Sequence, residues 1–461
     1  MSIENTSVSL LSISPIDGRY SHITKVLQSY FSEYGLIHYR TKIEVKYLIQ
    51  LISFLNNHVD AFEKLEVSSL QHTLFVLKKV IETFGVKDAL KVKEIEKTTN
   101  HDIKAIEYYL HEVCKINNIM HAVPYIHFGL TSQDINNTAI PLLLKDYVQK
   151  EYIPKIVSII NTIDDYAEKY KDVSMLCRTH GQPASPSTFG KEMKVFSYRL
   201  QKQVELLQQI KYWAKFGGAV GNFNAHCVAF PSVNWRQFAD NFIDIIGLKR
   251  NQYTTQIDNY ENLSVIFDTM VRINTILVDF CRDIWSYISM EYIRCKVIKN
   301  EVGSSTMPHK VNPIHFENAE GNLLLSNALF TFLSQKLPVS RLQRDLTDST
   351  VLRNVGVAFG YVEIAFYNII KGLNKIDINK EKIQEDIKDN WIILGEAIQT
   401  ILRKYNHNEP YEVVKQFTRG KKEISKEEYQ DFVNNNCPEE AKEELLQLVP
   451  SSYIGYANEI V

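Results

Sequence analysis

Glycine and proline are scarce in this chain, whose 461 residues include only 18 Gly and 13 Pro. Globular proteins average roughly 7% glycine and 5% proline. Few helix breakers over such a length indicate long, uninterrupted helices. Cysteine is also rare, and none of the six cysteines forms a C-x-x-C pair, which argues against a zinc site or a redox motif. Scattered single cysteines are typical of a reducing compartment.

Membrane and export signals are missing as well. No segment approaches the roughly 20 consecutive apolar residues of a transmembrane helix, and the first ten residues lack the basic and apolar parts of a secretory signal. The formal net charge of -2 argues against general binding to nucleic acid or to a membrane surface. We therefore expect a cytoplasmic protein whose partners include neither nucleic acid nor membrane.

An apolar stripe of unusual length runs from Leu263 to Tyr287. Similar stripes over residues 156–170 and 193–207 predict two more long helices. Other faces of the longest stripe also carry apolar residues such as Phe267, which predicts burial on more than one side. We expect a bundle that packs against other copies of the chain, with a large monomeric core as the alternative. The inner members of the longest stripe recur alternately every three and four residues: Ile266, Met270, Ile273, Leu277, Phe280 and Ile284.

Capping residues and composition predict the remaining organisation. Asn312 followed by Pro313 predicts a helix with Asn312 as its N-cap, and a further helix is predicted with Asp348 or Ser349 as its cap. Short helical patterns with polar breaks come first in the chain, and a charged region comes last. We predict an N-terminal helical domain (1–120), a central long-helix bundle (121–374) and a C-terminal helical domain (375–461).

The stretch EVGSSTMPHKVNP, residues 301–313, is unsuited to a helix or a strand. Gly303, Ser304 and Ser305 predict a loop whose backbone N–H groups are available to an anion. Lys310 adds a positive charge and Asn312 adds amide donors beside a helix N-terminus. The stretch therefore favours carboxylate binding, with an ordinary surface loop as the alternative.

His180 lies in a turn that contains glycine and proline, between two helix-like segments. Turns of this kind display catalytic groups, and imidazole exchanges protons near neutral pH. A purely structural histidine is the alternative. Three further polar clusters are candidates for ligand binding, with helix capping or a solvated face as the alternative, and the last of them is suited to phosphate. They are Asn100, His101 and Asp102; Thr131 and Ser132; and Arg344, Ser349 and Arg353.

Together these segments resemble the fumarase/aspartase superfamily and, within it, the adenylosuccinate lyase family of the bacterial type. The superfamily loop has the form G-S-S-x-M-P-x-K-x-N-P, which GSSTMPHKVNP at residues 303–313 matches at every fixed position. The alternative is another fumarate-releasing lyase of the superfamily, such as one that acts on argininosuccinate or malate. His309 favours the adenylosuccinate lyase branch over these families. Further similar segments are SPIDGRY (14–20), KTTNHD (97–102), TSQDINN (131–137), RTHGQPASPST (178–188), YTTQI (253–257) and RDLTDSTVLRN (344–354).

The resemblance implies an all-α, three-domain fold whose central long-helix bundle forms the core of a homotetramer with shared active sites. It implies a β-elimination that releases fumarate from adenylosuccinate, giving AMP. The same elimination converts the succinylaminoimidazole carboxamide ribotide of purine biosynthesis into the aminoimidazole carboxamide ribotide. No metal and no organic cofactor is implied.

The resemblance also assigns roles to residues. His180 is implied as the general acid and Ser304 as the general base. The other implied residues bind substrate, either at its succinyl end or at the nucleotide and its phosphate. They are Arg19, Tyr20, Asn100, His101, Asp102, Thr131, Ser132, Gln256, Ser305, Lys310, Val311, Asn312, Asn318, Arg344, Ser349, Thr350, Val351, Leu352 and Arg353.

Overall fold

The computed structural model describes residues 10–298, 306, 307 and 309–461. Helices dominate these residues, which confirms the predicted all-α class. None of the described helices is long and apolar enough to cross a membrane. The α-helices from residue 21 onward are α1 (Ser21–Thr24), α2 (Gln28–Phe31), α3 (Glu33–His58), α4 (Val67–Thr83), α5 (Val86–Thr99), α6 (Asp102–Ile116), α7 (Ser132–Tyr147), α8 (Ile153–Lys169), α9 (Phe189–Gln209), α10 (Asn224–Ala229), α11 (Trp235–Ile245), α12 (Glu261–Ser289), α13 (Ile314–Lys336), α14 (Thr347–Leu352), α15 (Val355–Leu373), α16 (Lys380–Lys388), α17 (Gly395–Lys404), α18 (Pro410–Thr418), α19 (Lys426–Asn436) and α20 (Glu439–Gln447).

Three small two-stranded sheets accompany the helices in the described ranges. The first and third sheets are antiparallel, and the second is parallel. No convincing alternation of apolar and polar residues marks these strands in the sequence, so they were not predicted. The strands are β1 (Ser174–Thr179), β2 (Gln182–Thr188), β3 (Trp213–Ala214), β4 (Lys249–Arg250), β5 (Ile293–Cys295) and β6 (Ile376–Ile378).

The long apolar stripe forms α12, a helix of 29 residues. At 1.5 Å per residue it is about 44 Å long. Its stripe is buried from Leu263 to Ile284, and Tyr287 is half-buried. The two shorter stripes likewise form α8 and α9. The predicted long helices are therefore confirmed.

Two predicted helix starts were wrong in detail. α13 begins at Ile314 rather than at Pro313, because the Pro313 carbonyl accepts the first α-helical N–H, from Glu317 at 3.3 Å, which makes Pro313 the residue before the helix. α14 begins at Thr347, so Asp348 lies inside its first turn, as does Ser349. Asp345 serves this helix start instead, since its Oδ1 accepts the backbone N–H of Thr347 at 2.8 Å.

One compact unit comprises the described residues within Met1–Lys155, Gln203–Thr275 and Asn322–Ala365. In it α3 packs along α7, and α5 packs along α6. Aromatic rings contribute to its core. Phe267 stacks on Phe330 with ring centroids 5.5 Å apart, and Phe330 contacts Phe359 edge-on at 4.9 Å.

A second compact unit comprises the described residues within Ile156–Lys202, Ile276–Gly321 and Phe366–Val461. Here the ring of Phe280 contacts those of Phe196 and Phe316 at 5.4 and 6.4 Å. The helices from α17 onward enclose a cluster that includes Leu394, Ile398 and Val433. The predicted functional domains 1–120, 121–374 and 375–461 stay a prediction.

Candidate active site

His180 lies at the tip of a β-hairpin in the second unit. Thr179 of β1 pairs with Gln182 of β2, so His180 and Gly181 form a two-residue turn. Both residues have positive φ, 52° and 75°, as the hairpin turn of type I′ requires. The imidazole is exposed. The predicted turn is present, and two strands that the sequence did not predict hold its ends.

The cluster of Asn100, His101 and Asp102 joins α5 to α6. Asn100 ends α5 in the left-handed conformation, with φ 53°. His101 caps α6, because its Nδ1 accepts the backbone N–H of Lys104 at 3.1 Å. Asp102 is the first residue of the helix. The local fold thus presents all three side chains at one helix start.

Asp102 lies between two arginines of the first unit. Its Oδ2 is 2.9 Å from Nη2 of Arg40 and 3.4 Å from Nη2 of Arg353. Its Oδ1 accepts the backbone N–H of Ile103 at 2.9 Å. Burial alone would raise the pKa of this carboxyl, but Arg40, that N–H and Arg353 hold the pKa below its usual value. Through its ionised carboxylate, Asp102 therefore contacts a second predicted site residue, Arg353.

Arg40 was missed by the sequence reasoning. Only 4% of it is exposed, and its Nε donates to Oδ1 of Asn136 at 2.7 Å. A signal was present in the sequence, because Arg40 and Glu44 fall in a helical stripe with the buried residues Ile37 and Tyr47. Charged residues in such a stripe are rarely buried unless they are paired, so they mark a buried polar network.

Arg353 also faces a second carboxylate. Its Nη1 is 3.0 Å from Oε2 of Glu33. Glu33, Arg40, Ser349 and Arg353 line one pocket of the first unit. The pocket thus brings two of the predicted phosphate ligands, Ser349 and Arg353, next to a buried guanidinium.

Arg344 joins two other predicted residues of the first unit. Its Nη2 donates to Oγ of Ser349 at 3.2 Å, and its Nη1 donates to Oε1 of Gln256 at 3.3 Å. Its Nε lies 3.9 Å from the buried carboxylate of Asp348. The structure therefore brings Gln256 next to Arg344 and Ser349, although it lies far from them in sequence.

Thr131 and Ser132 form the start of α7, above a buried ion pair. The backbone N–H of Thr131 donates to Oδ2 of Asp134 at 2.8 Å. Oδ1 of the same carboxylate accepts from Nζ of Lys215 at 2.7 Å and from the backbone N–H of Gly217 at 2.8 Å. Both charged side chains are fully buried. Burial lowers the pKa of Lys215, and the neighbouring Asp134 opposes this shift.

The signature loop, residues 303–313, is described only in part. Ser304 and Ser305, the predicted base and its neighbour, lie outside the described residues. Lys310 is exposed, and its backbone N–H donates to the carbonyl of Met307 at 3.0 Å. Lys310, Val311 and Asn312 line a cleft of the second unit that two further lysines share. Positive charge in this cleft is consistent with the predicted carboxylate binding.

The other predicted residues are distributed over both units. Asn318 lies on α13 of the second unit, where its Oδ1 accepts from Nδ2 of Asn368 at 2.9 Å. Arg19 is exposed in the first unit, with its guanidinium 5.7 Å from the ring centroid of Tyr20. Thr350, Val351 and Leu352 lie on α14 between Ser349 and Arg353, and of the three only Leu352 reaches the pocket.

The contacts therefore assemble two groups among the predicted residues. The first joins Asp102 to Arg353, and the second joins Arg344 to Ser349 and Gln256. Membership of the remaining predicted residues in one common site stays a prediction. Among the described residues, no three His, Cys, Asp or Glu side chains are arranged to hold a metal ion.

Comparison with known protein families gives two matches along the chain. Residues 18–326 match the family model described as "Lyase", and residues 340–454 match the model described as "Adenylosuccinate lyase C-terminal". Together these matches include the hairpin, the helix starts and the arginine groups of the candidate site.

Several relatives named adenylosuccinate lyase match over nearly their whole length. The chain is 48% identical over 457 residues to the adenylosuccinate lyase of Dictyostelium discoideum, covering 97% of each protein. It is 47% identical over 455 residues to that of Vibrio cholerae, covering 98% of each. Identity to that of Escherichia coli K12 is 45% over 452 residues, covering 97% of each.

Solved structures of low sequence similarity share the fold. The structure of 3-carboxy-cis,cis-muconate lactonizing enzyme from Pseudomonas putida has a TM-score of 0.67 at 17% identity, covering 95% of this chain and 94% of that one. The β-carboxy-cis,cis-muconate cycloisomerase of an Acinetobacter strain has a TM-score of 0.68, also at 17% identity, covering 95% and 96%. At this identity the likeness concerns the fold alone.

Proposed function

Since the chain belongs to the adenylosuccinate lyase family, we propose that it releases fumarate from adenylosuccinate, giving AMP. The same elimination on the succinylaminoimidazole carboxamide ribotide gives the aminoimidazole carboxamide ribotide of purine biosynthesis. The observation that carries this proposal is identity of 45–48% over nearly the full length of both chain and relatives.

The reaction requires one proton to leave carbon and another to reach nitrogen. We assign Ser304 as the base that removes the proton beside a succinyl carboxylate. The electron pair of the broken C–H bond forms the C=C bond of fumarate. The C–N bond breaks, and its electron pair stays on nitrogen. We assign His180 as the acid that protonates this nitrogen. Lys310 and Asn312 supply a cation and amide donors for the charge that builds on the carboxylate.

Charge and geometry support the assignment of the phosphate end. Arg344 and Arg353 both lie beside Ser349: the first donates to its hydroxyl, and the second lines the same pocket. Guanidinium groups bind phosphate oxygens in bidentate fashion. We place the 5′-phosphate of the nucleotide here, with Arg19 and Tyr20 as further ligands.

The succinyl end is assigned to Thr131, Ser132 and Gln256. The first two stand at the start of α7, where the helix dipole favours a carboxylate. The buried Asp134 fixes this turn from below. Gln256 lies 3.3 Å from Arg344, so the proposed succinyl and phosphate ligands adjoin at this point.

We further propose a cytoplasmic homotetramer whose active sites are shared between subunits. Long helices that are buried on several faces still leave large apolar residues uncovered in the single chain, among them Val265 and Trp285 on α12 and Leu325 and Phe332 on α13. Such exposed apolar side chains are typical of subunit interfaces. All six cysteines are free, as in a reducing compartment.

Fumarate release from adenylosuccinate, followed by absorbance, tests the proposal. His180→Ala is expected to reduce kcat by about 100-fold or more, because general acid catalysis contributes roughly 10²–10⁴-fold. Replacement of the exposed His111, outside the predicted site, is the matched control. Mixing inactive His180→Ala and Ser304→Ala subunits restores activity if sites are shared. Turnover of argininosuccinate but not of adenylosuccinate would favour another lyase of the superfamily.

A further inference from the structure

Arg40 of α3 carries a positive charge inside the first unit. Its side chain is only 5% exposed, and its Nη2 lies 2.9 Å from Oδ2 of Asp102, the first residue of α6. Its Nε donates to Oδ1 of Asn136 on α7 at 2.7 Å. A guanidinium stays charged inside a protein and, when buried, needs a carboxylate beside it. The first charge that Asp102 compensates is therefore that of Arg40.

Arg353 lies farther out, on the same carboxylate oxygen. Its Nη2 is 3.4 Å from Oδ2 of Asp102, and its side chain is 45% exposed. Its Nη1 is 3.0 Å from Oε2 of Glu33, whose other oxygen faces Nζ of Lys93 at 3.1 Å. All of these contacts lie within the first unit. Arg353 thus has a carboxylate on each Nη, and each of these carboxylates is shared with a second cation.

The charge of Asp102 is divided unequally between the two arginines. Burial would raise the pKa of this carboxyl, and Arg40 lowers the pKa more than Arg353 does. The backbone N–H of Ile103 holds the other oxygen at 2.9 Å, so the carboxylate is fixed at the start of α6. If Arg40 were neutral, the fixed carboxylate would have Arg353 as its nearest guanidinium. Two carboxylates would then compensate the charge of Arg353.

We infer that Arg40 is a positioning residue for the proposed phosphate site, because by pairing with Asp102 it leaves the charge of Arg353 to the phosphate. The inference rests on the proposed function, which places the 5′-phosphate at Ser349 and Arg353. Arg40 lines the same pocket as these two residues, so its own charge also makes the potential there more positive. It acts through Asp102 and through this field, and it is not assigned as a ligand.

Isothermal titration calorimetry with AMP and with adenosine tests the inference, because the two ligands differ only in the phosphate. Arg40→Met is expected to raise the Kd of AMP about tenfold, since the net charge around Arg353 falls by one unit. The Kd of adenosine is expected to change less than about twofold, because adenosine has no phosphate for this charge to attract. With adenylosuccinate, KM should rise while kcat stays within about threefold, since the proposed acid and base are unchanged.

A second substitution restores the charge balance. Glu33→Gln removes the carboxylate on the other side of Arg353. In the Arg40→Met background it is expected to bring the Kd of AMP back to within about threefold of the wild type. A packing defect at Arg40 would weaken AMP and adenosine alike, and Glu33→Gln would not repair it. Arg236→Met, at an exposed position of α11 in the same unit, is the matched control and should leave both affinities unchanged.

The outcomes separate this inference from the proposed function. A wild type that binds AMP no more tightly than adenosine overturns the phosphate assignment and the inference with it. If the wild type prefers AMP and Arg40→Met keeps this preference, the inference alone is overturned, as it is if Glu33→Gln fails to recover AMP binding. A wild type that prefers AMP but does not cleave adenylosuccinate overturns the proposed reaction, and the titrations still decide the role of Arg40. Should Arg40→Met not fold, Arg40→Gln, which is neutral but still donates hydrogen bonds, replaces it in every measurement.

Discussion

Removal of the Asp134 carboxylate should be among the most destabilising single changes in the first unit. Asp134→Ala removes the carboxylate 2.7 Å from the fully buried ammonium of Lys215 and, among the described residues, leaves that charge only the carbonyl of Gly218 as an acceptor. It also removes the acceptor for the backbone N–H groups of Thr131, Gly217 and Gly218. Removing one partner of a buried ion pair costs about 3–5 kcal/mol.

The opposite truncation should cost less. Lys215→Met leaves the carboxylate of Asp134, but the three backbone donors still hold it. Loss of one charged hydrogen bond is worth about 1.5–3 kcal/mol. The two single variants therefore test whether the carboxylate or the ammonium organises this region.

Differential scanning calorimetry at one protein concentration measures the difference. Unfolding entropy is about 2.1 cal/mol/K per residue, or about 1 kcal/mol/K for 461 residues that unfold as one unit. Asp134→Ala should thus lower Tm by about 3–5 °C. Glu439→Ala, which breaks an exposed pair with Lys442, should shift Tm by less than about 1 °C. A Tm for Asp134→Ala at or above that of Lys215→Met would refute the reasoning.

Three further outcomes are expected. Burial lowers the pKa of His226 to about 4, so the unfolded state binds the extra proton between about pH 6.5 and 4. About 3 kcal/mol of stability should therefore be lost as pH falls through this window. The urea midpoint, measured as a function of pH, should fall less for His226→Gln than for the wild type. Gly221→Ala should lower Tm more than Gly181→Ala. Both glycines have positive φ, but only at Gly221 would an added Cβ meet backbone, at 2.6 Å from the carbonyl oxygen of Thr254. Equal shifts of Tm by calorimetry would contradict this. Arg353→Met should raise KM for adenylosuccinate by about 10- to 100-fold, as expected for a lost charged hydrogen bond, and an unchanged KM would remove Arg353 from the phosphate site.

Long-range periodicity made the helices predictable. The stripe from Leu263 to Tyr287 repeats often enough that the helix is the only regular element to which it fits, and α12 covers it. The strands of the His180 hairpin could not be found in this way, because each has only six or seven residues and β2 contains two prolines. The available signal for the hairpin was the pair His180–Gly181, because glycine favours a two-residue hairpin turn.

Local sequence also predicted which polar groups stand at helix starts, but not what they contact. Thr131, His101 and Ser349 lie at or near such starts. Their partners come from distant segments, so the ion pair of Arg40 with Asp102 has no signature within either segment. Charged residues inside a helical stripe are the one local sign of such a network, and pairing them requires the fold.

The two carboxylates beside Arg353 have a consequence for turnover. Under the proposed assignment, a phosphate that arrives at this guanidinium competes with Glu33 and Asp102, which already lie 3.0 and 3.4 Å from it. Part of the attraction between the Arg353 guanidinium and the phosphate is therefore offset, because the phosphate must displace these carboxylates or is repelled by them. AMP keeps the phosphate after fumarate has gone, so a cation that holds it loosely lets the nucleotide depart and frees the enzyme for the next cycle.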